Sequence, residues 1–298
     1  MSKQVRASKI AQSIEQELPR DFEITGVSSF NSITPNTLLF YNKNDKPALT
    51  ARQQSVLSTC LVLAKKKSFF PDSISVLTAN NPRLSYALIL HRFFKPENNA
   101  GISKTAKIHH EVKPGKDVYI GDFVVIEKNV VIESNVIIDS QAVIKSGVSI
   151  GSGTHIKSGA VIGDEGFGFD FDDGNKPVRI PHMGKVKLGK NVEVGVNCVI
   201  SKGTIDDTII DENVKINDLS KIAHNVFIGK NTVITGARIN GSVRIEEDCW
   251  ISPGAVIQNK VHIGKGAKIG TGAVVVNDIN ANTVAYGNPA VEVRKNKS

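Results

Sequence analysis

Cysteine is scarce in this chain of 298 residues: Cys60, Cys198 and Cys249 are the only three, and no two stand in C-x-x-C spacing. An odd number, widely separated, excludes a disulfide framework, a thioredoxin-like redox pair and a structural zinc site, and it predicts buried free thiols. No apolar run reaches the length that spans a bilayer. The amino-terminal stretch MSKQVRASKIAQSIEQEL also lacks the compact apolar core and small-residue cleavage site of a secretion signal. We therefore expect no transmembrane segment and a cytoplasmic location. Motifs that read nucleic acid are missing too, so the basic clusters AKKKSFF (Lys65 to Lys67) and RKNKS at the carboxyl end read as solvated surface.

Positive charge is present in excess, with a formal net charge of +8, so an anionic partner fits: a nucleotide, an acidic carrier protein or nucleic acid, the last disfavoured by the missing motifs. Hydrophobic residues make up 40% of the chain, enough for one long domain or two ordinary ones and too many for disorder.

The dominant signal is a ruler of six residues. Isoleucine falls at 102, 108, 120, 126, 132, 138, 144, 150, 156 and 162, with only Pro114 interrupting, and Val118, Val124, Val130, Val136, Ala142, Val148 and Ala160 stand two places earlier in their units. A helix would scatter this period around its circumference, whereas short strands joined by tight turns return one aliphatic side chain to the same interior column. Three units make a triangular coil, and stacked coils bury the isoleucine columns in a prism. Gly121, Asn129, Asn135 and Gly151 suit corners that need positive φ.

The ruler resumes at Leu188, Val194 and Ile200, again from Ile210 to Ile234, and again from Ile245 to Val275. Its first break, residues 164–187, is a polar, glycine-rich loop; a second lies at Ser201 to Thr208, and between Ile234 and Ile245 one unit is a residue short. Loops on a rigid scaffold are where binding and chemistry usually reside. Residues 1–100 lack the ruler and read as a separate α/β domain, with helices at Ala7 to Leu18 and Pro82 to Phe94 and strands in EITGV, NTLLFY, TCLVLA and ISVLTA. KPENNAGISK is the expected linker, residues 101–280 the repeat domain and 281–298 a carboxyl-terminal tail.

The repeat resembles that of the hexapeptide-repeat acyltransferases, which implies a mainly β fold: a left-handed parallel β-helix behind a small amino-terminal α/β domain. The order of ITGVSSFNSI, NPRLSYALILHRF, IGDEGFGFDFDDGNKPVRIPHMGKV, KGTIDDTII, KIAHNVFIG and INGSVRI is similar to that in the UDP-3-O-acylglucosamine N-acyltransferases of lipid A synthesis. The ending VNDINANTVAYGNPAVEVRKNKS instead looks like that of the hexapeptide acetyltransferases, whose GNPA segment lies near coenzyme A. What the resemblance implies is an N-acyltransferase acting on a nucleotide-linked amino sugar for a surface glycan or lipopolysaccharide. It works as a homotrimer with sites between subunits and has no permanently bound cofactor.

Such a reaction needs a base for the amine, and an imidazole, with an unperturbed pKa of about 6.5, suits the task. Spacing alone leaves His224 open between that role and a turn residue satisfied by solvent or Asn225. The resemblance maps the family's base onto His224 and its oxyanion donor, a backbone N–H, onto Gly241. It also implies nucleotide contacts at Phe40, Tyr41 and Asn42, where the family's later tyrosine is replaced by a lysine near Lys46. Sugar or acyl contacts fall at Phe167, Phe169, Asn217, Asp218 and Asn225, and donor contacts at Lys260, Gly287 and Asn288. Asn217-Asp218 inverts the family's usual Asp-Asn, which points to an altered sugar contact. No H-x-x-x-x-H pair suggests a metal. EGFGF lacks the strand-to-helix setting of a dinucleotide fold. The shortened ending favours a short acyl group on coenzyme A. The alternatives are a genuine lipid A enzyme using 3-hydroxyacyl carrier protein and a non-catalytic scaffold that binds a sugar nucleotide.

Overall fold

The computed structural model describes residues 4–95 and 100–296. The chain divides into two units, Met1–Glu97 and Asn98–Ser298. Residues 96–99, the middle of the expected linker, lie outside the described residues.

In the first unit, β1 (Val5–Arg6) pairs antiparallel with β2 (Glu23–Ile24), and α1 (Ala7–Gln12) follows directly from β1. The helix is shorter than the apolar spacing suggests, because Glu15 turns left-handed at φ 57°. A parallel sheet runs in chain order through β3 (Gly26–Val27), β4 (Thr37–Tyr41), β5 (Leu61–Ala64) and β6 (Ser75–Thr78). Period-two alternation splits its side chains between two cores. Leu38, Leu61, Leu63 and Leu77 meet Ile10 and Ile89 on one face. Leu39, Tyr41, Val62 and Ala64 meet Leu57 and Phe70 on the other. The helix α2 (Ala51–Leu57) is absent from the sequence expectations, although its capping box, Thr50 with Gln53, is a legible start signal. The last helix, α3 (Pro82–Ile89), is capped by Asn81 Oδ1, which accepts from the Leu84 N–H at 3.2 Å, and it runs on into a π-helical turn at Leu90–Phe94.

The second unit is the left-handed parallel β-helix that the family resemblance implies. Most of its strands are two residues long, and beyond the first coil the second residue of these fills the interior column: Ile120, Ile138, Ile144, Ile162, Ile200, Ile222, Ile239 and Ile257 are all fully buried. Among the described residues the prism has three sheets of eleven, nine and seven strands, called here faces 1, 2 and 3 in the order each coil visits them. Adjacent coils pair in parallel at the same residues of each unit, as in Lys221↔Arg238 and Ile222↔Ile239.

Positive φ at the corners is carried by Asn129, Asn135, Asn213, Asn225 and Asn231, among others. Between faces 3 and 1 the side chains stack: Asn213 Nδ2 donates to Asn231 Oδ1 at 2.9 Å, and Asn231 Nδ2 donates to Asp248 Oδ1 at 3.0 Å. Gly121 and Gly151 are glycine for another reason. Neither has positive φ; a Cβ there would stand 2.7 Å from the Ser140 N and 2.5 Å from the Gly189 carbonyl carbon of the next coil. Close stacking of coils, rather than turn chirality, excludes a side chain.

Three features share one edge, the corner between faces 2 and 3. The long loop leaves face 2 after Val161–Asp164 and rejoins face 3 at Val186–Leu188, with its own hairpin of Phe169–Phe171 against Pro177–Arg179. The stretch between Val199–Ser201 and Thr208–Ile210 bulges at the same corner one coil later, and His224 follows on the coil after that. The short unit lies elsewhere: its missing residue falls between Val233–Ile234 and Arg238–Ile239, on the corner between faces 1 and 2. It therefore does not sit beneath Gly241. Residues 281–296, expected as a tail, include a hairpin, Thr283–Gly287 with Ala290–Lys295, that extends face 1. Lys297 and Ser298 lie outside the described residues.

All three thiols are buried and free, and burial pushes the Cys249 thiol up to about 11. Among the described residues no helix is long and apolar enough to cross a membrane.

Candidate active site

His224 occupies the first half of a corner whose next residue, Asn225, is left-handed at φ 59°. The Asn225 amide is oriented by its surroundings. Its Nδ2 donates to the Asp206 carbonyl at 2.9 Å, and its Oδ1 accepts from the Thr204 N–H at 3.0 Å and from the Thr204 hydroxyl at 2.9 Å. The same Oδ1 lies 2.9 Å from His224 Nδ1. An amide oxygen can only accept, so Nδ1 carries the hydrogen and the lone pair of a neutral imidazole resides on Nε2. The bulge Ser201 to Thr208 thus supports the histidine indirectly, through Thr204, Asp206 and the Thr208 hydroxyl that accepts from the Asn225 N–H at 2.9 Å.

Gly241 stands directly against that nitrogen. A Cβ on it would be 2.7 Å from Nε2 and 2.6 Å from Cε1, so only glycine leaves the imidazole in place. Among the described residues no acceptor takes the Gly241 N–H, while its carbonyl accepts from the Lys260 N–H at 3.0 Å. A cavity of about 220 Å³ opens here, lined by His224, Gly241, Ser201, Lys221, Asn240 and Phe167, with Asn259 at its rim.

The loop supplies a second histidine, absent from the sequence-based candidates. His182, in IPHMG, is 2% exposed, and its ring meets that of His224 at 5.3 Å between centroids and 76° between planes. Its Nδ1–H donates to the Ile180 carbonyl at 3.0 Å, and its buried Nε2 has no partner among the described residues. Burial, partly opposed by that hydrogen bond, lowers its pKa and favours the neutral ring. The two glycines of EGFGF explain themselves here. A Cβ on Gly166 would lie 2.8 Å from His182 Nε2 and 3.0 Å from His224 Cβ, and one on Gly168 would lie 2.9 Å from His182 Cε1. The G-x-G spacing serves close packing on two imidazoles.

Phe167 and Phe169 touch, with ring centroids 4.8 Å apart, but differ in exposure. Phe167 is 81% exposed at the cavity, whereas Phe169 is half-buried with the Arg179 guanidinium 4.8 Å from its ring centroid. Asn217 and Asp218 do not join the site: they occupy the corner between faces 1 and 2, where Asp218 Oδ1 accepts from the Val196 N–H at 2.7 Å. Lys260 lies on the His224 edge, two coils on, whereas Gly287 and Asn288 form the turn of the terminal hairpin on face 1. In the amino-terminal unit Phe40, Tyr41 and Asn42 border a cavity of about 770 Å³ together with Lys46 and Gln53. Strand alternation turns the two rings apart. Phe40 packs on Tyr86 at 4.9 Å, and Tyr41, only 6% exposed, is held between Phe30 and Phe70. Among the described residues no group of three or more His, Cys, Asp or Glu side chains is arranged to hold a metal ion.

A coil of six-residue units with a glycine-flanked histidine on one edge defines a hexapeptide-repeat β-helix protein, and the model for the bacterial transferase hexapeptide (six repeats) matches residues 129–164 and 242–277. A second model, the hexapeptide repeat of succinyl-transferase, matches residues 221–259. The UDP-3-O-acylglucosamine N-acyltransferase of Helicobacter pylori strain 26695 is 33% identical over 237 residues, covering 75% of this chain and 70% of that protein. The chain belongs to that family. The Legionella pneumophila strain Paris relative, UDP-3-O-acylglucosamine N-acyltransferase 1, is 34% identical over 71% of this chain and 64% of its own length. With the Delftia acidovorans relative the match is 40% over 99 residues, and the chain spans only 29% of that protein. Among solved structures, a UDP-N-acetylglucosamine acyltransferase from Bacteroides fragilis superposes with a TM-score of 0.60 at 28% identity, over 66% of this chain and 75% of that one. The enzyme of that name from Francisella novicida gives 0.60 at 26% identity, over 66% and 71%.

Proposed function

We propose that the protein is an N-acyltransferase that moves an acyl group from a thioester to the amino group of a nucleotide-linked amino sugar, with His224 as general base. One observation carries the reading: Asn225 fixes the Nδ1–H tautomer, so the basic lone pair of His224 is held on Nε2 beside Gly241 and the cavity. In the forward step Nε2 takes the proton as the sugar nitrogen attacks the thioester carbonyl. The tetrahedral oxyanion is met by the Gly241 N–H, and the proton passes to the departing thiolate, with no covalent enzyme intermediate. General-base help contributes about 10²–10⁴ in rate, so holding both substrates in line must supply much of the remainder.

Kinship with the lipid A N-acyltransferases favours UDP-3-O-acylglucosamine as acceptor, and so the lipid A reading, over the short-acyl coenzyme A reading that the terminal segment suggested. Gly287 and Asn288 of the GNPA turn lie on face 1, away from the His224 edge of their own chain. A nucleotide in the 770 Å³ cavity would meet Phe40, Tyr41 and Asn42, with Tyr41 the most buried of the three. Assembly as a homotrimer belongs to this reading. The outward valines 125, 143, 161 and 199 of face 2, an apolar row available for burial, support it.

The test is thioester consumption with UDP- and dTDP-amino sugars against acetyl-CoA, 3-hydroxybutyryl-CoA and 3-hydroxyacyl carrier protein, read by mass spectrometry. His224→Ala should lower kcat by about 10²–10⁴ with the accepted pair. An unchanged rate in that variant would remove the base role, and no transfer with any pair would leave the non-catalytic scaffold in its place.

A further inference from the structure

The outward row of face 2 is valine at 125, 143, 161, 199, 256 and 274, each on the rung of its neighbour. Two adjacent rungs break the row: Lys221 pairs in register with Arg238, between Val199 and Val256. Their neighbours Ile222 and Ile239 fill the interior, so both cations point outward, and both are exposed. Strands in a sheet lie about 4.8 Å apart, and like charges directly opposite each other are destabilising.

Several other outward cations of the β-helix are answered by acids. Lys157 lies 2.6 Å from Glu193, Lys187 2.7 Å from Asp207 and Arg244 2.8 Å from Glu246. Among the described residues neither Lys221 nor Arg238 has an ion pair, a hydrogen bond from its side chain or a ring contact, and no other rung sets two lysines or arginines side by side. Lys221 also lines the 220 Å³ cavity with His224 and Gly241. Lys221 at that cavity and Arg238 on the adjacent rung are two unanswered cations with the chemistry of an anion site, the arginine offering a fork to oxygen and the lysine a point charge.

We infer that Lys221 and Arg238 bind a phosphate group of one of the two substrates, and so set its position relative to His224. The inference rests on the acyl-transfer reading for its role and on the cation pair for the site itself. The phosphate belongs to the nucleotide sugar or to the phosphopantetheine arm of the donor, and the kinetics separate these sources.

The experiment compares the full-length protein with its Lys221→Gln/Arg238→Gln double variant. Calorimetric titration with inorganic pyrophosphate at low salt should show binding weakened about tenfold or more in the variant, the scale of one or two charge-assisted hydrogen bonds. KM for one substrate should rise by a similar factor while kcat holds. A rise for acyl-CoA or acyl carrier protein, with none for the acyl thioester of N-acetylcysteamine, which has no phosphate, assigns the donor arm. A rise confined to the nucleotide sugar assigns the diphosphate. Unchanged pyrophosphate binding with unchanged KM values overturns the inference. So does a variant whose sedimentation mass differs from that of the parent, because the pair would then belong to a subunit contact. If the parent transfers no acyl group yet loses pyrophosphate binding on substitution, the acyl-transfer reading fails and the anion site stands.

Discussion

Gly241→Ala adds one methyl group where the structure has no room for it. The new Cβ would stand 2.6 Å from His224 Cε1 and 2.7 Å from Nε2, whereas carbon contacts relax at roughly 3.5 Å, an overlap of about 0.9 Å with Cε1. The backbone raises no objection, since Gly241 is not left-handed, so the whole effect is steric. The imidazole cannot slide away freely either, because its Nδ1 is tied to Asn225 at 2.9 Å. A displacement near 1 Å in a reacting group can cost about 10² in rate, and local overpacking costs about 1–3 kcal/mol of stability. The expected result is a kcat about 100-fold lower in a protein that still folds, measured by steady-state thioester consumption together with a melting curve. A kcat within about threefold of the parent, under 1 kcal/mol of barrier, would refute the claim that Gly241 and His224 must stay in contact.

Three further outcomes follow from the same geometry. Asn225→Ala removes the acceptor that holds the His224 tautomer and should lower kcat, whereas Asn225→Asp keeps an acceptor. Its carboxylate favours the imidazolium, so the acid limb of the pH–rate profile should move to higher pH, a shift that a purely structural Asn225 would not produce. Burial lowers the pKa of His182 below its ordinary 6.5, so the unfolded chain binds the extra proton first. Its contribution to stability is complete above pH 6.5 and is lost as pH falls toward the lowered value, and melting of His182→Gln should show a weaker decline between pH 7 and 5 than the parent. Gly121→Ala drives a Cβ to 2.7 Å from the Ser140 N, far in sequence from the site, and should cost about 1–3 kcal/mol in melting experiments with kcat unchanged.

The period of six was enough to read the β-helix, because a buried column forces the same residue type to return each time the chain passes the same face. The buried isoleucines from Ile120 to Ile269 are the columns read from sequence. Local signals also served in the amino-terminal unit, where short apolar runs marked β4, β5 and β6, while α2 was missed although Thr50 and Gln53 announce it. The site was only half legible. His224 and Gly241 came from motif order, and the structure brings them into contact; His182, an isolated histidine in sequence, carries no periodic or spacing signal for the loop closure that sets it against His224.

By itself, then, the sequence determined the coil, its interior columns and the corners that take asparagine, all of which depend on neighbours six residues or one coil away. Only the tertiary structure decided which of three edges each corner occupies. Two insertions of different length and one shortened unit interrupt the ruler, and the phase across the insertions is set by strand pairing, not by local sequence. Asn217 and Asp218, seven and six residues before His224 in the same stretch, fall on the preceding edge by the period itself, whereas pairing across the interruptions brings Gly166, His182 and Thr204 to the His224 edge.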